Sequence, residues 1–296
     1  MVVPLPDSFR RTAVQAGDVR INTVVAGDGP PLLLLHGYPQ THLIWHRVAP
    51  LLAARHTVVL TDLRGYGDSG KPAGGPGHEA YAKRAMAADQ VRVMRELGFD
   101  RFAVAGHDRG GRVAHRLALD HPAAVRALAV LDIVPTRHAF RHVDKAFAEG
   151  YFHWFFLTAG GGVPEHLIGG DPDFWVRTRM NSRHSGGAAF DPAAVDEYVR
   201  CFADPAAIHA SCEDYRAAAT VDLEHDEEDA RRGNRIEVPL LAMWGEHGFV
   251  GRHYDVPAVW REYASDVRAL PLPTDHYVPE EAPERTAAAL DEFISG

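Results

Sequence analysis

A chain of 296 residues, 46% apolar and 24% charged, has the make-up of a folded globular protein able to bury one large core with room for an insertion. Its formal charge of −9 at pH 7, with no block of lysine and arginine, argues against a nucleic-acid partner, and no apolar run is long enough to span a bilayer. An anionic substrate would have to be drawn in by local positive charge working against that field.

The segment Met1 to Arg11 lacks the basic start and apolar run of a signal peptide, so a cytoplasmic location is expected. Residues 8–27 alternate loosely and predict two antiparallel strands turning near Gly17-Asp18. Pro31 to His36 is a continuous apolar run, a buried strand that stops at His36-Gly37-Tyr38-Pro39. Trp45 to Ala54 has helical spacing. Thr57 to Leu60 is a further strand and runs into the glycine-rich loop Thr61 to Gly70. Tyr81 to Leu97 reads as an amphipathic helix closed by Gly98. Phe102 to Ala105 is again a strand and a helix follows it at once; Val125 to Val134 is the next strand, with Asp132 near its end.

Strands alternating with helices imply a mostly parallel sheet covered on both faces, with active groups at the C-terminal ends of the strands. After Pro135 that rhythm breaks. Aromatic residues crowd the chain from Phe140 to Trp175, and no convincing buried strand occurs before Pro239 to Trp244. Val267 to Leu272 and the helix Glu284 to Ile294 then close the chain. The expected division is a core of residues 1–135 and 231–296 with a helical cap of residues 136–230. Within the cap, Cys201 and Cys212 are read as two free thiols, and Asp222 to Asp229 as a solvated helix face or hinge.

The organising stretch is Gly106-His107-Asp108-Arg109-Gly110, between a strand and a helix. Glycine on both sides of a strand-to-helix turn has the form of a nucleophile elbow, in which the central side chain is held clear of the sheet by a strained backbone. Here that side chain is a carboxylate. Asp108 suits attack on a saturated carbon bearing a leaving group, giving an enzyme ester that water can cleave. Opening the ester needs a base. Among 18 histidines, His276 in Pro273-Thr274-Asp275-His276-Tyr277 has the chain order and strand-end position of a triad histidine. Its orienting acid is expected to be Asp132, with Glu246 as the alternative. The backbone N–H groups of Tyr38 and Arg109 are candidates for an oxyanion hole. Arg109 and Arg112 are three apart on one helix, so they would lie together and clamp a substrate carboxylate beside the nucleophile.

The set His36-Gly37-Tyr38-Pro39, Gly106-His107-Asp108-Arg109-Gly110-Gly111-Arg112, Leu131-Asp132, Phe152-His153-Trp154-Phe155-Phe156, Asp214-Tyr215-Arg216 and His276 resembles the fluoroacetate (haloacetate) dehalogenases of the α/β-hydrolase superfamily. The likeness runs over nearly the whole chain, with the motifs in order. Haloalkane dehalogenases and epoxide hydrolases share the aspartate elbow but commonly have tryptophan where this chain has Arg109. The resemblance implies an α/β-hydrolase fold with a helical cap inserted after the sixth strand. It also implies carboxylate binding by Arg109 and Arg112, a halide pocket of His153, Trp154 and Tyr215, no metal or cofactor, and a homodimer. Three N–H or O–H donors without fixed negative charge suit a departing halide. One departure is Asp275, where a small residue, usually glycine, is expected before the base. The activity implied is hydrolytic dehalogenation of a short 2-haloacid. An epoxide hydrolase using Asp108 and His276, with Tyr151 or Tyr215 protonating the epoxide oxygen, is the alternative enzyme; a ligand receptor on a hydrolase scaffold is the non-enzymatic one.

Overall fold

A computed structural model of the protein describes residues 5–181 and 190–296; the first four residues of the N-terminal segment lie outside them. Eight strands form one sheet: β1 (Arg10–Ala16), β2 (Val19–Ala26), β3 (Pro31–Leu35), β4 (Thr57–Thr61), β5 (Phe102–His107), β6 (Val125–Leu131), β7 (Leu240–Gly245) and β8 (Val267–Leu272). Their spatial order is β1-β2-β4-β3-β5-β6-β7-β8, antiparallel at β1–β2 and β2–β4 and parallel elsewhere. The central strands are buried on both faces, which is why they read as unbroken apolar runs. On β3, Leu33 and Leu35 join one apolar cluster and Leu32 and Leu34 the other, following the pleat. The helices Lys83–Glu96 and Arg109–Asp120 pack on the first face, and Ala49–Leu52 and Pro283–Ser295 on the second. The strand order reverses at β3, so the loops after β3 and β5 flank the crevice where open α/β sheets carry their chemistry.

Several element boundaries differ from the expectation, three of them through a change of element or of backbone conformation. The helix expected from Trp45 to Ala54 is two short pieces, a 3-10 turn His42–Trp45 and the helix Ala49–Leu52. The long helix starts at Lys83, with Glu79–Tyr81 forming a separate 3-10 turn. β6 ends at Leu131 because Asp132 takes φ +53° and leaves the ladder.

Between β6 and β7 the described residues hold eight helices and no strand. Two of these, Pro192–Phe202 and Pro205–Ala219, begin at Asp-Pro pairs, the aspartate side chain accepting a first-turn N–H and proline filling the first helical position. The acidic tract is not a solvated face. It lies on the helix Val221–Arg232, and Arg116 of the core binds Asp226 at 2.6 Å and Asp229 at 2.5 Å. Asp222 and Asp226 are buried; their cationic partners lie more than 100 positions away, out of reach of any local pattern. Cys201 and Cys212 are unpaired and buried, and burial raises both thiols, Cys212 to about 12. No helix among the described residues is long and apolar enough to cross a membrane.

Candidate active site

The turn after β5 leaves no room for a side chain at Gly106 or Gly110, two residues to either side of Asp108. A Cβ on Gly106 would come within 2.3 Å of the Gly110 carbonyl oxygen, and one on Gly110 within 2.4 Å of that of His36. Asp108 itself has φ +48° and ψ −117°, a strained conformation for an L-residue, and it opens the helix Arg109–Asp120. Its side chain is buried, and its Oδ1 accepts the Tyr38 N–H at 3.0 Å. One of the two expected oxyanion donors therefore already contacts the carboxylate; the other, the Arg109 N–H, belongs to the first residue of the helix. The Tyr38 loop is held by His36, whose Nδ1–H donates to the Gly37 carbonyl at 2.9 Å while Nε2 accepts the Leu63 N–H at 3.0 Å. That pattern fixes a neutral imidazole, and burial lowers its pKa in the same sense.

His276 follows β8. Its Nδ1–H donates to Asp132 Oδ2 at 2.6 Å, and Nε2 lies 3.7 Å from Asp108 Oδ2. The Gly245 N–H holds the other Asp132 oxygen at 3.1 Å. Glu246, the alternative acid, is exposed. His107 Nε2–H donates to the His276 carbonyl at 2.8 Å and so ties the His276 loop to the elbow strand. Asp275 is buried next to His276, with its N–H donating to Glu281 at 2.9 Å.

Arg109 and Arg112 are both buried but differ in their company. Arg109 donates from Nε and Nη2 to Asp214 at 3.0 and 2.5 Å, and its Cζ lies 4.2 Å from the Tyr215 ring centroid. Burial alone would lower its pKa; the Asp214 charge outweighs that and raises it. Arg112 donates through Nη1 to the Val134 carbonyl at 2.9 Å and to Thr136 Oγ1 at 3.0 Å, and stacks 4.6 Å from the Trp154 ring centroid. No carboxylate pairs with it among the described residues. Burial, then the neighbouring Arg109 charge, lowers its pKa, and Asp108 offsets this in part.

The three residues of the expected halide pocket come together above this pair. His153, Trp154 and Tyr215 are buried, with the Tyr215 ring 5.7 Å from His153 and 6.2 Å from Trp154. Trp154 Nε1 and the Tyr215 hydroxyl are buried donors with no protein partner among the described residues. The Tyr38 ring stacks 6.2 Å from His153 and meets Tyr215 edge-on at 5.3 Å. Of the aromatic run, Phe152 and Phe155 are exposed, as helical rotation demands when His153 and Trp154 face inward.

Four site residues escaped sequence reasoning. Trp175 donates from Nε1 to the Tyr38 hydroxyl at 2.5 Å, joining the helical insert to the oxyanion loop. Asp214 binds both Lys83 and Arg109. Glu280 accepts from Gln40 at 2.6 Å and from Tyr198 at 3.0 Å, beneath the His276 loop. Asp214 stood within a quoted motif, three residues long, without a role; Lys83 and Glu280 carry no local signal.

Comparison with known proteins identifies the fold and the family. The family model of the α/β hydrolase fold matches residues 30–283. A fluoroacetate dehalogenase from Burkholderia sp is 48% identical over 98% of this chain and 95% of its own. A soluble epoxide hydrolase from Corynebacterium sp. (strain C12) is 36% identical over 90% of each chain. A crystal structure from Nostoc sp PCC 7120, described as an α/β hydrolase, superposes with a TM-score of 0.95 at 56% identity, covering 97% of this chain and 98% of that one. With an aspartate elbow, a His–Asp pair behind it and relatives aligned end to end, the chain belongs to the α/β-hydrolase fold family and, within it, to the haloacetate dehalogenases.

Proposed function

We propose that the protein hydrolyses short 2-haloacids of the haloacetate type to the 2-hydroxy acid and halide, through an ester formed on Asp108. The observation that carries this is Arg112, a buried guanidinium one turn from the nucleophile, surrounded by neutral oxygens and an indole face. A cation taken out of water without a paired anion is costly, and a substrate carboxylate supplies the missing charge where a neutral epoxide does not. The 48% identity to a fluoroacetate dehalogenase supports the same reaction.

The substrate carboxylate binds Arg112 and the remaining Arg109 Nη1. An Asp108 oxygen attacks the halogen-bearing carbon; the new C–O bond forms as the carbon–halogen bond breaks, and the halide leaves toward Trp154 Nε1, the Tyr215 hydroxyl and His153. His276 Nε2 then takes a proton from water, whose oxygen bonds to Asp108 Cγ. The N–H groups of Tyr38 and Arg109 stabilise the charge that develops on the Asp108 oxygen. Collapse breaks the ester bond, the hydroxy acid takes the proton from His276, and Asp132 stabilises the transient imidazolium.

A single turnover in water labelled with heavy oxygen tests the ester: the label is expected first in Asp108, and label in the product of the first turnover overturns the step. In His276→Asn the ester should persist as a mass increase on the Asp108 peptide. Halide release from fluoro-, chloro- and bromoacetate, with Asp108→Asn as the inactive control, tests the substrate class.

A second reading, epoxide hydrolysis, is favoured by the buried Tyr215 hydroxyl and by the 36% identical relative. It needs two phenols facing the nucleophile and draws no benefit from two buried arginines. Turnover of styrene oxide in preference to chloroacetate would select it.

A further inference from the structure

Arg109 is not wholly given over to substrate. Its Nε and Nη2 edge is taken by a two-point pair with Asp214, and Nη2 also meets the Asp214 backbone carbonyl at 2.9 Å. Nη1 is buried with no protein partner among the described residues. Asp214 in turn accepts from Lys83 Nζ, and from the Tyr66 hydroxyl at 2.6 Å. Lys83 Nζ also lies 3.4 Å from Asp222, which accepts the Lys83 N–H at 2.8 Å. Two cations and two anions, all buried, therefore balance one another. Burial alone would raise the Asp214 pKa; the charges of Arg109 and Lys83 outweigh it and hold the carboxyl well below the usual range. Arg112, outside this set, keeps its charge for a ligand.

We infer that Asp214, braced by Lys83, is a positioning residue for substrate recognition: it locks the Arg109 guanidinium so that Nη1 alone is offered to the carboxylate of the bound acid, and it leaves Arg112 as that carboxylate's ionic partner. This rests on the haloacid reading above. An arginine side chain loses considerable rotamer freedom when a ligand immobilises it, and a guanidinium already fixed by a two-point pair has lost that freedom before the ligand arrives. Asp214 and Asp222 sit on helices of the insert, whereas Arg109, Lys83 and Tyr66 belong to the core. The seating of the insert therefore sets the geometry of recognition.

The test is D214N, with K83M/D214N as the second variant, which removes the lysine charge that D214N strands in the interior. Chloroacetate kinetics are measured by halide release, acetate binding by titration calorimetry, and folding by urea unfolding. For whichever variant retains the wild-type circular dichroism, KM for chloroacetate and the dissociation constant of acetate are expected to rise together by about tenfold or more, with kcat within about threefold of wild type. Unchanged acetate affinity and KM, with only the urea midpoint lowered, would make Asp214 a purely structural anchor and overturn the inference. The two proposals fail separately. A wild type that releases no halide, yet loses acetate affinity on D214N, refutes the reaction and keeps the positioning role; a wild type that releases halide, with D214N binding acetate as tightly, does the reverse.

Discussion

Asp108 and Asp132 both stand at the C-terminal end of a parallel strand, and both take positive φ, +48° and +53°. In each case the backbone turns out of the ladder so that the carboxylate faces the crevice instead of continuing the pleat, at a cost of about 1–3 kcal/mol per residue. Beside them, Arg112 reaches two neutral oxygens and an indole face at once. A lysine cannot do so, because its ammonium has neither the planar fork nor the stacking face. Arg112→Lys is therefore expected to raise KM for chloroacetate by roughly 10- to 100-fold, about 1.5–3 kcal/mol of a charge-assisted bond; halide-release kinetics check this, and an unchanged KM would remove Arg112 from the binding role. Much at this scale was legible. The elbow glycines and the succession Asp108, Asp132, His276 are patterns in adjacent residues or in chain order. The choice between Asp132 and Glu246 was not, because it turns on which carboxylate a folded loop meets, and only Asp132 lies 2.6 Å from His276. Nor was the Lys83–Asp214–Arg109 network, whose members are separated by 131 and 105 positions.

Among the elements, the short helix Val278–Glu281 carries a buried carboxyl whose titration bears on stability. Its Glu280 is buried between Gln40 of the oxyanion loop and Tyr198 of the insert helix Pro192–Phe202, with Arg47 donating to its backbone carbonyl at 3.1 Å and Glu281 adjacent. Burial, set against the two side-chain hydrogen bonds and helped by the Glu281 charge, raises Glu280 to about 8. The folded state thus keeps a proton that the unfolded chain releases near the ordinary carboxylate pKa. Stability contributed by that proton is whole below about pH 4.5 and is lost as pH rises to about 8, at up to about 1.4 kcal/mol per pH unit. Glu280→Gln should remove this dependence: its urea midpoint should match wild type near pH 5 and exceed it progressively toward pH 9, and parallel curves would disprove it. The sheet strands were readable from sequence because burial on both faces leaves an unbroken apolar signature. The separate helices of the insert were not, since short helices packed on two sides show neither a clean helical period nor a strand-like alternation.

Across the whole molecule, the net charge of −9 and the cationic site are reconciled by where the charges lie. Part of the acid is spent inside, where Asp222, Asp226 and Asp229 tie the insert to Lys83 and Arg116 of the core. From composition this tract looks solvated; in the fold it is the seam between two parts of one chain. The proposed substrates impose a hazard of their own, because haloacids carboxymethylate thiolates. Both cysteines lie within the insert and are buried, and burial raises both thiols, Cys212 to about 12, which disfavours the reactive sulfur anion at neutral pH. The folded protein should therefore tolerate its own reagent. Prolonged exposure to bromoacetate is expected to leave its thiols at their unmodified mass, whereas the same treatment in concentrated urea should tag both; thiol adducts on the native protein would show that this immunity to self-poisoning is absent.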